Sequence, residues 1–360
     1  MTTRSETLAR ASTLRAGFET AGAQVVETSV LQPADTLLDL YGEEIRARAY
    51  VTSDALRGEQ MLRPDFTVPV VQMHMAHGAE SARYTYSGEV FRRQEHDPSR
   101  ANEYLQVGYE VFDRTNPAAA DAEVFALIVQ AVGHLGLRAA TGDIGILMAA
   151  VRGLRTTDAR KSALLRHIWR PRRFRSLLDR YAGRVKPSKE RKALIDGEMP
   201  ICDAPLIGKR RLSEIDHRIA LLRADAAEPP VSAIEVDLLD ALLNVREMLP
   251  FAQQHLSDLA VDMPSISDAV DRLSMRMDAL AAHGINVDEL PFEANYGRTS
   301  MEYYDGFVFG LYCAKRPDLP PIATGGRYDA LTRRLGGNAS IPAVGGVIRP
   351  DLVVQLEGQE

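Results

Sequence analysis

A long helical block separates two segments of strand-like sequence, and this order most limits the folds open to the chain. Residues 153–283 carry Leu, Ala, Arg and Glu at helical spacing. Before this block, alternating apolar positions over 83–93 and 103–113 predict strands. Strand-like patterns return after the block in YYDGFVFGLY and PAVGGVIR. Strands on both sides of a helical block favour one sheet that both ends of the chain complete.

We therefore predict an α+β fold, an antiparallel sheet flanked by helices, with a helical insertion. Residues 1–150 and 285–360 are expected to form the sheet domain, and residues 151–284 the mainly helical insertion. Within the first segment, the spacing predicts a helix over 118–137 and a strand over 142–148.

Composition narrows the class of protein. The 360 residues carry a formal net charge of −6, which argues against a dedicated nucleic-acid binder. Cys202 and Cys313 are far apart and have no Cys or His nearby at metal-ligand spacing, so neither a disulfide framework nor a zinc site is supported. We expect no metal and no cofactor. The N-terminal residues are too polar for a signal peptide, and no apolar stretch reaches membrane-spanning length. These features indicate a cytoplasmic protein.

One face of the strand over 103–113 combines polar side chains with a glycine. Strand alternation places Leu105, Val107, Tyr109 and Val111 on one face and the motif Gln106, Gly108, Glu110 on the other. The first face is predicted to be core. The second leaves a gap at the glycine where a cationic or hydrogen-bond-donating ligand would fit. The alternative is a solvated sheet face with an incidental glycine.

Arg92 closes the preceding strand, and a loop of about nine residues joins it to the next. An antiparallel pair would bring its guanidinium to the same surface, where it suits a carboxylate or a phosphate. Further polar and aromatic residues recur in MLRPDFTVP, MEYYDGFVF and GGRYDAL; these are Asp65, Thr67, Tyr303, Tyr304 and Tyr328. A tyrosine in a strand is more often packing than function, so each alone is weak.

Six motifs occur in the order in which the histidyl-tRNA synthetase family carries its counterparts: MLRPDFTVP, SGEVFRRQE, EYLQVGYEVF, MEYYDGFVF, TGGRYDAL and PAVGG. The resemblance implies a class II aminoacyl-tRNA synthetase-like core. It also implies a pocket for L-histidine, with Glu110 near the imidazole, Asp65 near the amino group and Arg92 near a carboxylate or phosphate. The remaining implied pocket residues are Thr67, Gln106, Tyr303, Tyr304 and Tyr328.

Three positions depart from the family pattern. Gln94 stands where the second class motif usually has a glutamate, and Thr299 where an arginine assists adenylate chemistry, with Arg298 as a neighbouring partial substitute. Leu352 occupies the ungapped position of the arginine that stacks on ATP. Because adenylation needs preorganised positive charge, these changes predict loss of that chemistry. The chain also ends at Glu360, where a synthetase would continue into an anticodon-binding domain, so no such domain is expected.

A histidine pocket without adenylation resembles the regulatory subunit family of ATP phosphoribosyltransferase. That resemblance implies a non-catalytic chain that the short catalytic subunit needs for activity in the first step of histidine biosynthesis. It further implies feedback sensing of L-histidine and self-association as a dimer within a hetero-oligomer, without tRNA. Two alternatives remain: a truncated histidyl-tRNA synthetase-like enzyme, and an RNA-binding module that uses the basic segment 166–175. The latter segment is more simply a solvated helix face with Trp169 and Phe174 inward.

Overall fold

The computed structural model describes residues 3–41, 45–78, 80–94, 100–198, 208, 211–298, 303–337 and 339–358. The strands are β1 Gln24–Val25, β2 Leu31–Pro33, β3 Val51–Asp54, β4 Gly58–Leu62, β5 Ala82–Phe91, β6 Glu103–Phe112, β7 Arg138–Asp143, β8 Arg246–Met248, β9 Pro291–Glu293, β10 Phe307–Tyr312, β11 Ala323–Arg327 and β12 Ala343–Ile348. The α-helices are α1 Arg4–Thr20, α2 Ala34–Tyr41, α3 Ile45–Arg48, α4 Thr67–Ala76, α5 Pro117–Val132, α6 Ile144–Gly153, α7 Asp158–Arg166, α8 Pro171–Tyr181, α9 Lys189–Asp196, α10 Leu212–Ala227, α11 Ala233–Leu243, α12 Leu249–Asp262, α13 Ser267–Ala282, α14 Asp329–Leu335 and α15 Pro350–Glu357. Cys202 and Thr299 lie outside the described residues.

A nine-stranded sheet, mostly antiparallel, forms the centre of the protein. Its strand order is β1-β5-β6-β12-β11-β10-β7-β9-β8, and a separate small sheet has the order β2-β4-β3. The strands from the two ends of the sequence meet where β12 pairs with β6, which places Gly345 opposite Glu110. The prediction that both ends of the chain complete one sheet is therefore confirmed.

The hairpin of β5 and β6 has the predicted antiparallel arrangement. Tyr86 pairs with Gly108 and Gly88 with Gln106, so these four residues share one face. The Arg92 backbone N–H donates to the carbonyl of Asn102 at 2.8 Å and closes the hairpin at its loop. This register brings the polar residues of both strands to the same surface.

Strand β6 is buried on both faces, so the predicted core face is confirmed and the solvated-face alternative is wrong. The face of β6 that carries Tyr109, which was predicted to be core, packs against α1, α5 and α15. The rings of Phe18 and Tyr109 lie 5.3 Å apart there. On the opposite face Gln106 and Glu110 are also buried, at 3% and 1% exposure. A buried carboxylate and amide require hydrogen-bond partners, and these define the site described below.

The predicted strand over 142–148 is wrong. Strand β7 ends at Asp143, whose carboxylate accepts a hydrogen bond from the backbone N–H of Gly145 and caps α6. The apolar run that follows reads equally well as a buried helix or strand, and the capping aspartate decides for the helix. The glycine-bearing segment TGGRYDAL, which has no strand-like alternation, forms part of β11 between β12 and β10.

The predicted insertion is mainly helical, as α7 to α13 show, but it also contributes β8 to the edge of the sheet. The predicted domain boundaries, a sheet domain of residues 1–150 and 285–360 and an insertion of residues 151–284, therefore stay a prediction.

Within the described part of the chain, one helical segment, Pro117–Leu135, is long and apolar enough to span a membrane by length and composition, although the sequence pattern predicted no such segment. Half of it is buried inside the protein, and α5 packs against β12 and α13. A core helix of a sheet protein has the same composition.

Candidate functional site

A cavity of about 310 Å³ opens over the polar face of β5 and β6. This volume is within the range of small-molecule sites. Seven of the eight sequence-predicted ligand residues line it: Asp65, Thr67, Arg92, Gln106, Glu110, Tyr303 and Tyr304. The eighth, Tyr328, is buried and contacts the Glu110 carboxylate directly. The structure therefore brings all eight residues together, although the ligand they bind stays a prediction.

Three hydroxyl groups hold the Glu110 carboxylate in place. Its Oε1 accepts hydrogen bonds from Thr67 Oγ1 at 3.0 Å and from Tyr86 at 2.8 Å, and its Oε2 accepts one from Tyr328. A carboxylate has about four acceptor positions, so roughly one remains for a ligand donor. Burial and the neighbouring carboxylate raise the pKa of Tyr86 and of Tyr328, which keeps both hydroxyls protonated as donors.

Burial raises the pKa of Glu110 from 4.5 to about 7, against the opposing effect of the three hydrogen bonds. Nearby Asp65 adds to the increase through charge repulsion. A cationic or N–H-bearing ligand would relieve both effects, because it supplies positive charge and a further hydrogen bond to the ionised form. The carboxylate is therefore suited to a ligand that carries a proton-donating nitrogen.

Tyr86 is a site residue that sequence reasoning missed. The predicted gap at Gly108 is not open to a ligand, because the Tyr86 ring crosses it to reach Glu110. A Cβ on Gly108 would lie 2.1 Å from Tyr86 Cζ. Across the sheet, a Cβ on Gly345 would lie 1.5 Å from Glu110 Oε2. The register of the β5–β6 hairpin could have identified Tyr86, because it makes Tyr86 the cross-strand neighbour of Gly108.

We expect Gly108→Ala to destabilise the protein by roughly 1–3 kcal/mol, the usual cost of overpacking a core. Tyr86 is fully buried and stacks on Phe66 with ring centroids 4.2 Å apart, so its ring has little room to move. Urea unfolding measures this loss. The matched control is Gly133→Ala, where a Cβ meets nothing within 4 Å and the backbone is helical. Equal stability of the two variants would contradict the close approach of Tyr86.

The floor of the cavity contains an unsatisfied acceptor. Gln106 Oε1 is buried and has no hydrogen-bond partner among the residues that the structure describes. Such a group costs on the order of 1–3 kcal/mol unless a ligand or water pairs with it. A ligand N–H would satisfy Gln106 Oε1. A second ligand N–H would satisfy the remaining acceptor position of Glu110.

Residues 2–194 and 216–353 match the sequence model of histidyl-tRNA synthetase. The chain belongs to the histidyl-tRNA synthetase family. Its α+β, class II synthetase-like fold is accordingly established, as the order of the six motifs predicted.

Within this family, the chain is similar along nearly its whole length to proteins named as regulatory subunits. It is 29% identical over 372 residues to the ATP phosphoribosyltransferase regulatory subunit of Brucella ovis, covering 96% of each chain. The solved structure of an ATP phosphoribosyltransferase regulatory subunit/histidyl-tRNA synthetase from Bacillus halodurans superposes with a TM-score of 0.68 at 20% identity, covering 98% of this chain and 79% of that one. A histidine–tRNA ligase subunit of Alicyclobacillus acidocaldarius gives a TM-score of 0.60 at 24% identity, covering 99% and 94%. The two structures show the shared fold.

Arginines also line the cavity, and sequence reasoning identified only Arg92. Arg92 Nε donates to the Pro64 carbonyl at 2.7 Å, which fixes the side chain beside the cavity. The cavity contains four further arginines, Arg48, Arg93, Arg100 and Arg349. Among these, the guanidinium of Arg349 lies 4.1 Å from the ring centroid of Tyr104, which also lines the cavity. The pairing of β12 with β6 explains its position. Ile348 lies opposite Val107, so the next residue, Arg349, is carried toward Gln106.

The structure clarifies the departures from the histidyl-tRNA synthetase pattern. Leu352 is buried on α15 and does not line the cavity, whereas Arg349 does, so an arginine of the third motif segment does reach the site. Arg298 is not a substitute in the cavity. It is buried, donates to the Ile168 carbonyl at 2.8 Å and to Asn295 at 2.7 Å, and therefore holds the helical block.

Gln94 lies at the cavity wall and its side-chain amide donates to the Ala101 carbonyl at 3.2 Å. This bond links the segment after β5 to the segment before β6.

The basic segment 166–175 has Phe174 buried, and Trp169 Nε1 donates to the Tyr304 carbonyl at 3.1 Å. Both aromatic residues point inward, as the simpler interpretation predicted. Trp169 also links the helical block to a residue of the cavity.

Proposed function

We propose that the chain is the non-catalytic regulatory subunit of ATP phosphoribosyltransferase and that its cavity binds L-histidine. The observation that carries the proposal is the buried Glu110 carboxylate, which three hydroxyls hold with one acceptor position left for a ligand. The full-length similarity to proteins named as regulatory subunits supports the same conclusion. The chain then works in the first step of histidine biosynthesis, in the cytoplasm.

The residues of the cavity match the groups of histidine. The imidazole N–H donates to Glu110, and the α-amino group lies near Asp65. The ligand carboxylate pairs with Arg92, whose planar guanidinium suits a carboxylate. Gln106 Oε1, which is buried without a partner in the described part of the chain, accepts a remaining ligand N–H. Tyr303 and Tyr304 close the cavity beside the ligand.

The partner is the short catalytic subunit, which requires this chain for activity, and the chain pairs with itself within the hetero-oligomer. Histidine binding lowers the partner's activity as feedback. Such coupling between two sites is reciprocal, so the catalytic subunit's substrates also change the affinity for histidine. A role without tRNA agrees with the formal net charge of −6, which is unfavourable for a nucleic-acid binder.

In the reconstituted complex, we expect Glu110→Gln to leave activation intact and to shift the histidine inhibition curve to higher concentration by about 10-fold or more. Activation depends on the protein–protein surface, whereas inhibition depends on the cavity. The measurement is phosphoribosyl-ATP formation with wild-type and variant chains. Unchanged inhibition in a correctly assembled variant complex would place histidine sensing elsewhere, and failure of the wild-type chain to activate the catalytic subunit would reject the proposal itself.

A truncated synthetase-like enzyme is the second candidate, and the arginines of the cavity favour it. Arg92 and Arg349 both line the cavity and provide positive charge of the kind that phosphoryl transfer requires. We expect radiolabelled pyrophosphate exchange into ATP, with saturating histidine and magnesium, to remain at background. Histidine-dependent exchange that Arg349→Gln abolishes would instead assign the chain to the enzymes.

A further inference from the structure

A second cavity, of about 530 Å³, lies outside the proposed histidine site. It is bounded by the first turn of α5, by α6 from Gly145 to Arg152, by α13, and by the segments that precede β10 and follow β11. Nothing in the proposed regulatory function uses it. Its lining differs from the first cavity in being dominated by ionised side chains.

Arginines outnumber carboxylates in this cavity, with five arginines against four aspartates. All four aspartates are engaged with arginines of the wall. Asp121 Oδ2 accepts from Arg276 Nε and Asp143 Oδ2 from Arg276 Nη2, both at 2.8 Å, while Asp329 accepts from Arg327 at 2.9 Å and Asp305 lies 3.6 Å from Arg333. Burial and the neighbouring Asp329 raise the pKa of Asp305 to about 7. The carboxylates therefore leave positive charge in excess.

Three guanidinium groups of the cavity have unused donors. Arg276 is 3% exposed, and its Nη1 is buried without a hydrogen-bond partner in the described part of the chain. Arg152 on α6 and Arg272 on α13 are exposed, and neither has an ion-pair or hydrogen-bond partner among the described residues. Arg272 precedes Arg276 by one helical turn, so both project from the same face of α13. The buried Nη1 of Arg276 requires an acceptor, and the two exposed guanidinium groups add positive charge beside it.

We propose that this cavity binds a small oxyanion, a phosphate or carboxylate group, between Arg152, Arg272 and Arg276. Guanidinium forks match the oxygen geometry of both groups. The positive end of α5, a helix of 16 residues, also faces the cavity and adds to the attraction. The buried Arg276 supplies the inner contact and the two exposed arginines form the entrance.

The test uses the full-length chain with inorganic phosphate and, separately, with succinate, titrated by calorimetry at constant ionic strength because salt screens such contacts. We expect one of the two anions to bind saturably and the double variant Arg152→Gln with Arg272→Gln to weaken that binding by at least about tenfold. Both substitutions are at exposed positions, so the fold is retained. The anion that binds identifies the group the site accepts.

The matched control is Arg172→Gln, an exposed arginine of α8 outside both cavities, which should bind the anion as the wild type does. Two results would overturn the proposal. One is the absence of saturable binding of either anion below roughly 10 mM, a range too weak for a built site. The other is binding that Arg349→Gln removes and the double variant leaves intact, which would assign the anion to the first cavity. Neither result depends on histidine binding or on the catalytic subunit.

Discussion

Glu110→Gln is expected to weaken L-histidine binding by about 10- to 100-fold, the effect of losing one charge-assisted hydrogen bond. The substitution preserves shape, and the hydroxyls of Thr67, Tyr86 and Tyr328 can both donate and accept, so they still pair with the amide. The lost component is the negative charge. Isothermal titration calorimetry measures the affinity, with the fluorescence of Trp169, the one tryptophan of the chain, as a second signal.

The control for this prediction is Glu123→Gln. Glu123 also accepts a hydrogen bond from a tyrosine, Tyr109, but it pairs with Arg83 and does not line the first cavity. Its substitution should leave the histidine affinity unchanged. Equal affinity of the Glu110 variant and the wild type would reject the role of this carboxylate, and the absence of binding to the wild type at millimolar histidine would reject the site.

Arg276→Gln is expected to lower the free energy of unfolding by about 3–5 kcal/mol, because breaking a buried ion pair leaves a buried charge uncompensated. Arg276 on α13 joins Asp121 of α5 to Asp143 at the end of β7, each at 2.8 Å. Asp121 keeps Arg327 as a partner, at 2.8 Å, whereas Asp143 keeps only its capping hydrogen bond among the residues that the structure describes. The loss therefore falls mainly on Asp143, where the helical block meets the sheet.

Urea unfolding of this variant is best compared with Arg246→Gln. Arg246 pairs with Glu293 at 3.1 Å, but its side chain is 73% exposed, and exposed ion pairs contribute about 0–1 kcal/mol. We expect a large loss for the buried pair and a small one for the exposed pair. Similar losses for both would show that solvent reaches the Arg276 cluster and compensates the carboxylates there.

Sequence patterns predicted several parts of this protein correctly. The alternation in EYLQVGYEVF placed Val107 and Tyr109 in the core and Gln106 and Glu110 on a shared face. The same alternation could not show what covers the second face. A period of two reports which residues lie on the same side of a strand, whereas the partner across that side comes from the neighbouring strand.

Tyr86 and Arg349 show why sequence reasoning missed residues of the site. Tyr86 reaches Glu110 across Gly108 only because the β5–β6 register makes them neighbours. Arg349 enters the cavity because β12, from the far end of the chain, pairs with β6. An ungapped comparison placed the expected arginine at Leu352, three residues later and inside the core.

The sequence by itself determined the α+β class, the family, and the set of polar residues that one surface would collect, because local periodicity and ordered motifs are properties of the chain alone. Only the tertiary structure decided that Tyr86 fills the gap at Gly108 and that Asp143 ends a strand and begins a helix. It also decided that a buried ion-pair cluster around Arg276 holds the helical block to the sheet. These features depend on contacts between residues as far as 155 positions apart, and the register and burial that create such contacts are set by the packed sheet rather than by any short stretch of sequence.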